Sequence, residues 1–271
     1  MAISDISLTA GMRNNLLALQ QTATQVTQTQ SRLSSGKKVN TALDNPTNFF
    51  AAQAATNRAS DLTDRKDGMS EAVQTIKSAD NGISAITALI QSAKGLASAA
   101  AASNDTLSQA TYETQFNTIA SQITTLASDA GYRGTNLLTA GTLSIEFSQK
   151  TGDANLTVNG FGADASTLGV SSAGSWMTSG NAASTNSFMD AALTTLRTQS
   201  SSLASNLTTI TTRQTFTDSM INTLQVGADS LTLADMNQEG ANMLALQTRQ
   251  SLGTTALSLS SQASQSVLKL F

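Results

Sequence analysis

The segment LTDRKDGMSEAVQTIKSADNGISAITALI, Leu62 to Ile90, decides the reading of this chain. Leu62, Met69, Ile76, Ile83 and Ile90 fall seven residues apart, and Val73, Ala79, Ile86 and Ala93 widen the line into a stripe. Side chains at this spacing share one face of a helix, so the segment reads as one side of a long helix packed on others. Gly68 and Gly82 lie inside it. Each weakens a helix by about 1 kcal/mol relative to Ala, yet the register crosses both unchanged, so the helix is expected to run through them. The fold class that follows is mainly α. It is a long antiparallel helical bundle or coiled coil built from both chain ends, with a small β-hairpin region in the middle.

Toward the N-terminus, Asp44-Asn45-Pro46 marks where this helix begins. Asn45 can cap it, and Pro46 fits the first turn, where its missing N–H costs little. Gly36 ends an earlier helix, leaving Leu33 to Asn40 as the connector. In that earlier helix Met12, Leu19, Val26 and Leu33 recur every seven residues, and Leu16, Ala23 and Gln30 mark the offset line. From Met12 to Leu33 it would span roughly 33 Å. Its flanks are Thr, Gln and Asn, which suits burial against many identical neighbours better than an isolated coiled coil with charged flanks.

Toward the C-terminus, Asn104-Asp105 reads as a turn and cap, followed by a third stripe through Tyr112, Phe116, Ile119, Ile123 and Leu126. Leu143 to Phe147 and Leu156 to Asn159 alternate as strands do. Gly160 to Ser184, rich in Gly, Ser, Ala and Asn, reads as loops and a surface excursion, with Trp176 as its aromatic anchor. Helix is expected to resume near Asn186, with Leu196, Leu203, Ile210, Thr217, Leu224 and Leu231 in one frame. The segment Asp229 to Asp235 marks a change of helical body. The final stretch carries an apolar strip through Leu244, Leu252, Leu259, Ala263 and Leu270. A fainter eleven-residue line runs through Leu246, Leu257 and Leu268.

Residues 1–42 and 235–271 are therefore expected to pair as a discontinuous terminal-helix coiled coil. Residues 43–234 are expected to form the bundle domain, with a β and loop excursion at about 139–185. Two apolar chain ends without a core of their own call for burial in an assembly. The expected inter-helix and assembly contacts are Leu16, Leu19, Val26, Leu33, Leu62, Met69, Ile76, Ile83, Ile90, Leu252, Leu259, Val267 and Leu270. In particular, Leu16, Leu19, Val26 and Leu33 are expected to pack with Leu252, Leu259, Val267 and Leu270.

Composition narrows the function. The chain has 271 residues, no Cys, no His and a formal net charge of -3, and only 12% of its residues are charged. Without Cys or His there is no disulfide, no thiolate nucleophile, and neither the usual general base nor the commonest metal ligand. The basic residues are scattered, which argues against nucleic acid as a partner. No apolar run reaches membrane-spanning length, so no membrane insertion is expected. Met1 to Leu8 lacks the basic start and apolar core of a cleavable signal peptide. Asp61, Asp64 and Asp67 flank Arg65 and Lys66 and read as a self-neutralising patch; Asp229, Asp235 and Glu239 lack calcium-loop spacing and read as caps or inter-subunit hydrogen-bonding groups. No catalytic, cofactor or metal residue is expected.

Several motifs resemble the bacterial flagellins. At the N-terminal end they are Asn14-Asn15-Leu16, Leu33-Ser34-Ser35-Gly36-Lys37-Lys38-Val39-Asn40, Asp44-Asn45-Pro46, Asn57-Arg58, Ala79 to Ser84 and Gly134-Thr135-Asn136-Leu137-Leu138. At the other end they are Asp235 to Gly240, Gln250 to Ala256 and Gln262 to Phe271. The pattern is most similar to the short flagellins of alphaproteobacteria. Gln265-Ser266 stands where many members carry a proline.

The resemblance implies a structural subunit that self-assembles helically into a hollow extracellular flagellar filament for swimming motility. It implies the terminal helices as the inner shell, and export by the flagellar type III route without a cleavable signal peptide. It also implies as partners identical subunits, an export chaperone, the filament cap and hook–filament junction proteins. A hook–filament junction protein or another secreted helical assembly protein is the alternative.

Overall fold

The computed structural model describes residues 10–148, 155–172, 174–178 and 180–268. Its elements in chain order are α1 (Ala10–Ser35), α2 (Pro46–Ala102), α3 (Thr106–Asp129), β1 (Thr142–Glu146), β2 (Asn155–Asn159), α4 (Asn181–Thr232) and α5 (Met236–Leu268). The chain divides into two compact units, one of Met1–Asn57 with Thr223–Phe271 and the other of Arg58–Asn222.

In the unit Arg58–Asn222 the sequence periodicity becomes the core. On α2, Leu62, Met69, Ile76, Ile83 and Ile90 are all buried, as are Ala72, Ala79, Ile86, Ala93, Ala97 and Ala100. Met69, Ala72, Ile76, Ala79, Ile83, Ile86, Ile90, Ala93, Ala97 and Ala100 alternate steps of three and four, the signature of packing along one seam, and Val73 and Thr75 are buried beside it. On α4, Met189, Leu193, Leu196, Leu203, Ile210, Thr217 and Ile221 form the facing seam.

Polar pairs fix the antiparallel register of α2 and α4. Lys66 bonds Asp218 at 2.6 Å, and Gln214 donates to Ser70 at 3.0 Å. Lys94 bonds Asp190 at 2.5 Å, and Ser98 bonds Asn186 at 3.5 Å. Each step forward on α2 is matched by an equal step back on α4.

The helix does run through Gly68 and Gly82. Gly82 is there for space: a Cβ would lie 2.6 Å from Leu138 Cδ1 and 2.8 Å from Ala130 Cβ. The chain leaving α3 packs directly on α2 at this point.

Asp105 caps α3 by accepting the N–H groups of Leu107 and Ser108, bonds that hold its carboxyl below the usual carboxylate range, with the Ser108 hydroxyl contributing most. At the other end of α3 the Asn136 amide donates to the carbonyls of Ala127 and Ser128 at 2.8 and 2.9 Å. Its Oδ1 accepts from Leu138 N. This explains what Asn does in Gly134-Thr-Asn-Leu-Leu138: it ties off the helix while Leu137 and Leu138 enter the core.

β1 and β2 pair antiparallel with Ile145 opposite Leu156 and Leu143 opposite Val158. The hairpin is held from outside by Arg65, which bonds Glu146 at 2.5 Å, and by Arg213, which lies 5.3 Å from the Phe147 ring centre. Arg65 and Lys66 thus reach the hairpin and α4.

The stretch after the hairpin departs from the expected surface excursion. Ala163, Ala165, Leu168, Val170 and Trp176 are buried in the main core. Trp176 packs on Phe116 with ring centres 5.1 Å apart, and its indole N–H donates to Thr185 at 3.2 Å. Trp176 is the anchor expected of it. It pins a segment folded inward, because irregular chain here closes the open side of the helices. Helix α4 starts at Asn181, earlier than expected, so that Ala182, Thr185 and Met189 already face this core.

Candidate self-assembly surface

The unit Met1–Asn57 with Thr223–Phe271 is built around the pairing of α1 with α5. Gly36 ends α1 in the left-handed region, φ +70°, and its N–H returns to the Arg32 carbonyl. The connector then lies against the α4–α5 junction. Lys38 N donates to the Thr232 carbonyl at 2.7 Å, and Ala234 N to the Gly36 carbonyl at 2.9 Å. Asp44 accepts the N–H groups of Asn40 and Thr41, and the Thr41 bond above all holds its carboxyl below the usual range. Asn45 accepts from Asn48 N as the α2 cap. Asp235 accepts from Asn237 N and Gln238 N, so it caps α5.

The seam between α1 and α5 differs from its expected composition. On α1 the residues turned inward are Met12, Asn15, Leu19, Thr22, Val26, Thr29 and Leu33, an unbroken three-four alternation. The seven-residue line through Leu19, Val26 and Leu33 is on the seam. The offset line is Asn15, Thr22 and Thr29, while Leu16, Ala23 and Gln30 are exposed. On α5 the inward residues are Met243, Leu246, Gly253, Leu257, Ser260 and Ser264. The fainter line through Leu246 and Leu257 is therefore the one that faces α1.

Small residues set the closeness of the pair. A Cβ on Gly253 would lie 2.6 Å from Leu19 Cδ2, so Leu19 occupies the space a side chain would need. Asn15 donates to the Gly253 carbonyl at 3.5 Å, and Ser264 contacts the Met12 sulfur at 3.9 Å. One ion pair crosses the seam among the described residues, Arg32 to Glu239 at 3.1 Å. Glu239 is buried, and its second carboxylate oxygen has no partner among the described residues.

The more apolar strip of α5 points away from α1. Leu244, Leu252 and Leu259 are 70%, 65% and 68% exposed. Leu252 and Leu259, expected to pack with α1, are thus mostly exposed, while Gly253 and Ser260, one position further on, are turned inward. On α1, Leu16 and Leu17 are also exposed. The Val267 side chain and Leu270 lie outside the described residues. The α2 contacts Leu62 through Ile90 serve the core of the other unit. Leu17 is the outward leucine that periodicity alone does not single out, since it falls on neither seven-residue line of α1. A monomer gains nothing from large leucines on an outward helix face.

The family model for the bacterial flagellin N-terminal helical region matches residues 6–142. The chain belongs to the flagellin family. Flagellin FljM of Caulobacter vibrioides is 30% identical, and flagellin FljK of the same organism 29% identical, each over the whole of both chains. A flagellin of Brucella melitensis is 29% identical over 94% of this chain and 95% of its own.

As a flagellin the chain is a structural subunit of the bacterial flagellar filament, not an enzyme, and it self-assembles outside the cell for motility. No group of three or more metal-ligating side chains occurs among the described residues, and no described helix is long and apolar enough to cross a membrane.

Proposed function

We propose that the α1–α5 pair is the assembly element of this flagellin. In this reading residues 1–42 with 235–271 form the inner coiled coil of the filament, and residues 43–234 form the bundle domain. Leu16, Leu252 and Leu259 make contacts between subunits, joined by Val267 and Leu270. Leu19, Val26 and Leu33 hold α1 to α5, and Leu62, Met69, Ile76, Ile83 and Ile90 hold the bundle that carries the pair. The observation that supports this is the exposure of Leu244, Leu252 and Leu259 on one helix. If that strip meets a different surface of the next subunit, the contact propagates as an open helix wherever the rotation does not close a ring.

The same strip, exposed before assembly, is what an export chaperone would cover. The filament cap and the hook–filament junction proteins would meet the subunit at the two ends of the filament, and passage would be by the flagellar type III route. The absence of cysteine and the single proline suit such passage, since neither disulfides nor slow isomerisation would impede it.

Because the chain has no cysteine, Leu252→Cys and Leu259→Cys each give a unique thiol. Labelling with a maleimide should be fast in the monomer and strongly slowed in the polymer. Equal labelling in both states would remove the strip from the interface.

A further inference from the structure

The turn between α1 and α2 holds one leucine out in water. Leu43 is 96% exposed, more than any other large apolar side chain among the described residues. The turn is closed by the next residue: Asp44 Oδ2 accepts from Asn40 N and Thr41 N, each at 2.9 Å, and Asp44 N donates to the Thr41 carbonyl at 3.1 Å. Asn45 then caps α2, and Val39 is buried before the turn. Leu43 is thus an apolar knob on a turn fixed from both sides, with little backbone freedom left to lose on binding. Among the described residues no hydrogen bond engages Asp44 Oδ1, and this carboxylate stands exposed beside the knob.

A groove of matching chemistry opens in the unit Arg58–Asn222. It offers about 500 Å³ between α2 and α4, and its lining includes Ile83, Leu196, Ser201, Ala204 and the exposed Arg197. Ile83 and Leu196 belong to the core seams, so the base of the groove is apolar. The grooves beside Arg133 and along α1 are lined instead by the Arg133–Glu71 ion pair and by amide side chains.

Pro46 and Ile83 are thirty-seven residues apart on one continuous helix, roughly 55 Å of rise, so Leu43 does not reach the groove of its own chain. We propose that Leu43 of one subunit enters the α2–α4 groove of a second copy of this chain, with Asp44 meeting Arg197 there. The inference rests on the filament reading above and adds to it a contact apart from the α5 strip. The outward leucines of α5 lack the matching charge, since the only carboxylate of α5, Glu239, is buried and bound to Arg32. Knob and groove are unlike surfaces, so a copy that gives its turn to one neighbour still offers its groove to another. The seated leucine supplies adhesion, and the charge beside it selects the position.

The absence of cysteine supplies the test. The full chain carrying Leu43→Cys and Ser201→Cys is polymerised on seeds, treated with a short bis-maleimide and run on a denaturing gel. Each chain then offers one thiol from the turn and one from the groove. A ladder of linked copies is expected from the polymer, and single chains from the unpolymerised protein. Leu43→Ala is expected to raise the critical concentration roughly tenfold or more, because an almost fully exposed leucine is buried in the contact. Arg197→Ala should raise it by about two- to fivefold. Thermal melting of the monomer should stay unchanged in both, because Leu43 faces water there and no ion pair engages Arg197 among the described residues.

Polymer of the double-cysteine chain that still runs as single chains after treatment would overturn the proposal and leave the filament reading intact. So would a wild-type critical concentration in Leu43→Ala. A wild-type chain that never polymerises on seeds would sink both readings together.

Discussion

Truncating Leu259 to Ala separates assembly from folding. Leu259 is 68% exposed in the subunit, so about two thirds of its side chain is left to be buried on assembly. Full burial of a leucine side chain is worth ~1.5–3 kcal/mol, and two thirds of that is about 1–2 kcal/mol. A subunit adding to a filament end should then show a critical concentration raised roughly 5–30-fold, since about 1.4 kcal/mol is a factor of ten.

The monomer should melt at the wild-type temperature, because the truncated atoms face water there. Leu196→Ala is the counterpart: Leu196 is fully buried between the helices of the other unit, so the monomer itself should lose about 2–5 kcal/mol. The assays are sedimentation of seeded polymer across a concentration series and thermal melting of the monomer by circular dichroism. A Leu259→Ala monomer as unstable as Leu196→Ala, or a polymer with unchanged critical concentration, would refute the reasoning.

Arg32→Met strands the buried Glu239 carboxylate and should cost on the order of 2 kcal/mol. That is less than the ~3–5 kcal/mol of a fully buried pair, because the Arg32 side chain is a third exposed. Faster hydrogen exchange in the first turns of α5, largely reversed in Arg32→Met/Glu239→Met, would show it. Gly82→Val forces side-chain atoms into Leu138 and Ala130 and should destabilise the bundle by about 1–3 kcal/mol in a denaturant melt. Acid should also loosen the bundle. Asp164 accepts from the Ser166 and Thr167 side chains and from Thr167 N, bonds that bring its carboxyl down to about 2. Because the folded value is depressed, this stabilisation is complete above the unfolded value of about 3.9 and is lost as pH falls toward 2. In Asp164→Ala the melting temperature should fall less between pH 4 and pH 2 than in wild type.

The bundle was legible because its layers are mostly apolar on both sides, with Thr217 as a polar member of the α4 seam. Met69, Ile76, Ile83 and Ile90 announce α2 at sight, and the structure buries every one. The terminal pair was harder for a physical reason. Its seam includes Asn15, Thr22 and Thr29 of α1 and Gly253, Ser260 and Ser264 of α5, so the true seam is less apolar than the face beside it. A rule that places the greasiest stripe inside a chain then selects Leu16, Leu252 and Leu259, which the folded subunit leaves outside. That inversion is what the proposed inter-subunit role of these leucines would require.

The segment around Leu168, Val170 and Trp176 was opaque for a different reason. It enters the core without regular structure, and irregular chain has no period to read. Helix ends are legible where a side chain must satisfy backbone N–H groups, as at Asn45 and Asp105. The start of α4 is hidden, because Asn181 to Thr185 is composed like the loop before it.

Electron microscopy of the purified full-length chain beside the same chain lacking residues 1–35 and 240–271 tests the central claim directly. Long hollow filaments from the full-length chain alone are the expected result, with the shortened chain remaining a folded monomer. Small discrete oligomers from both, with no filament from either, would contradict the terminal helices as the element that drives assembly.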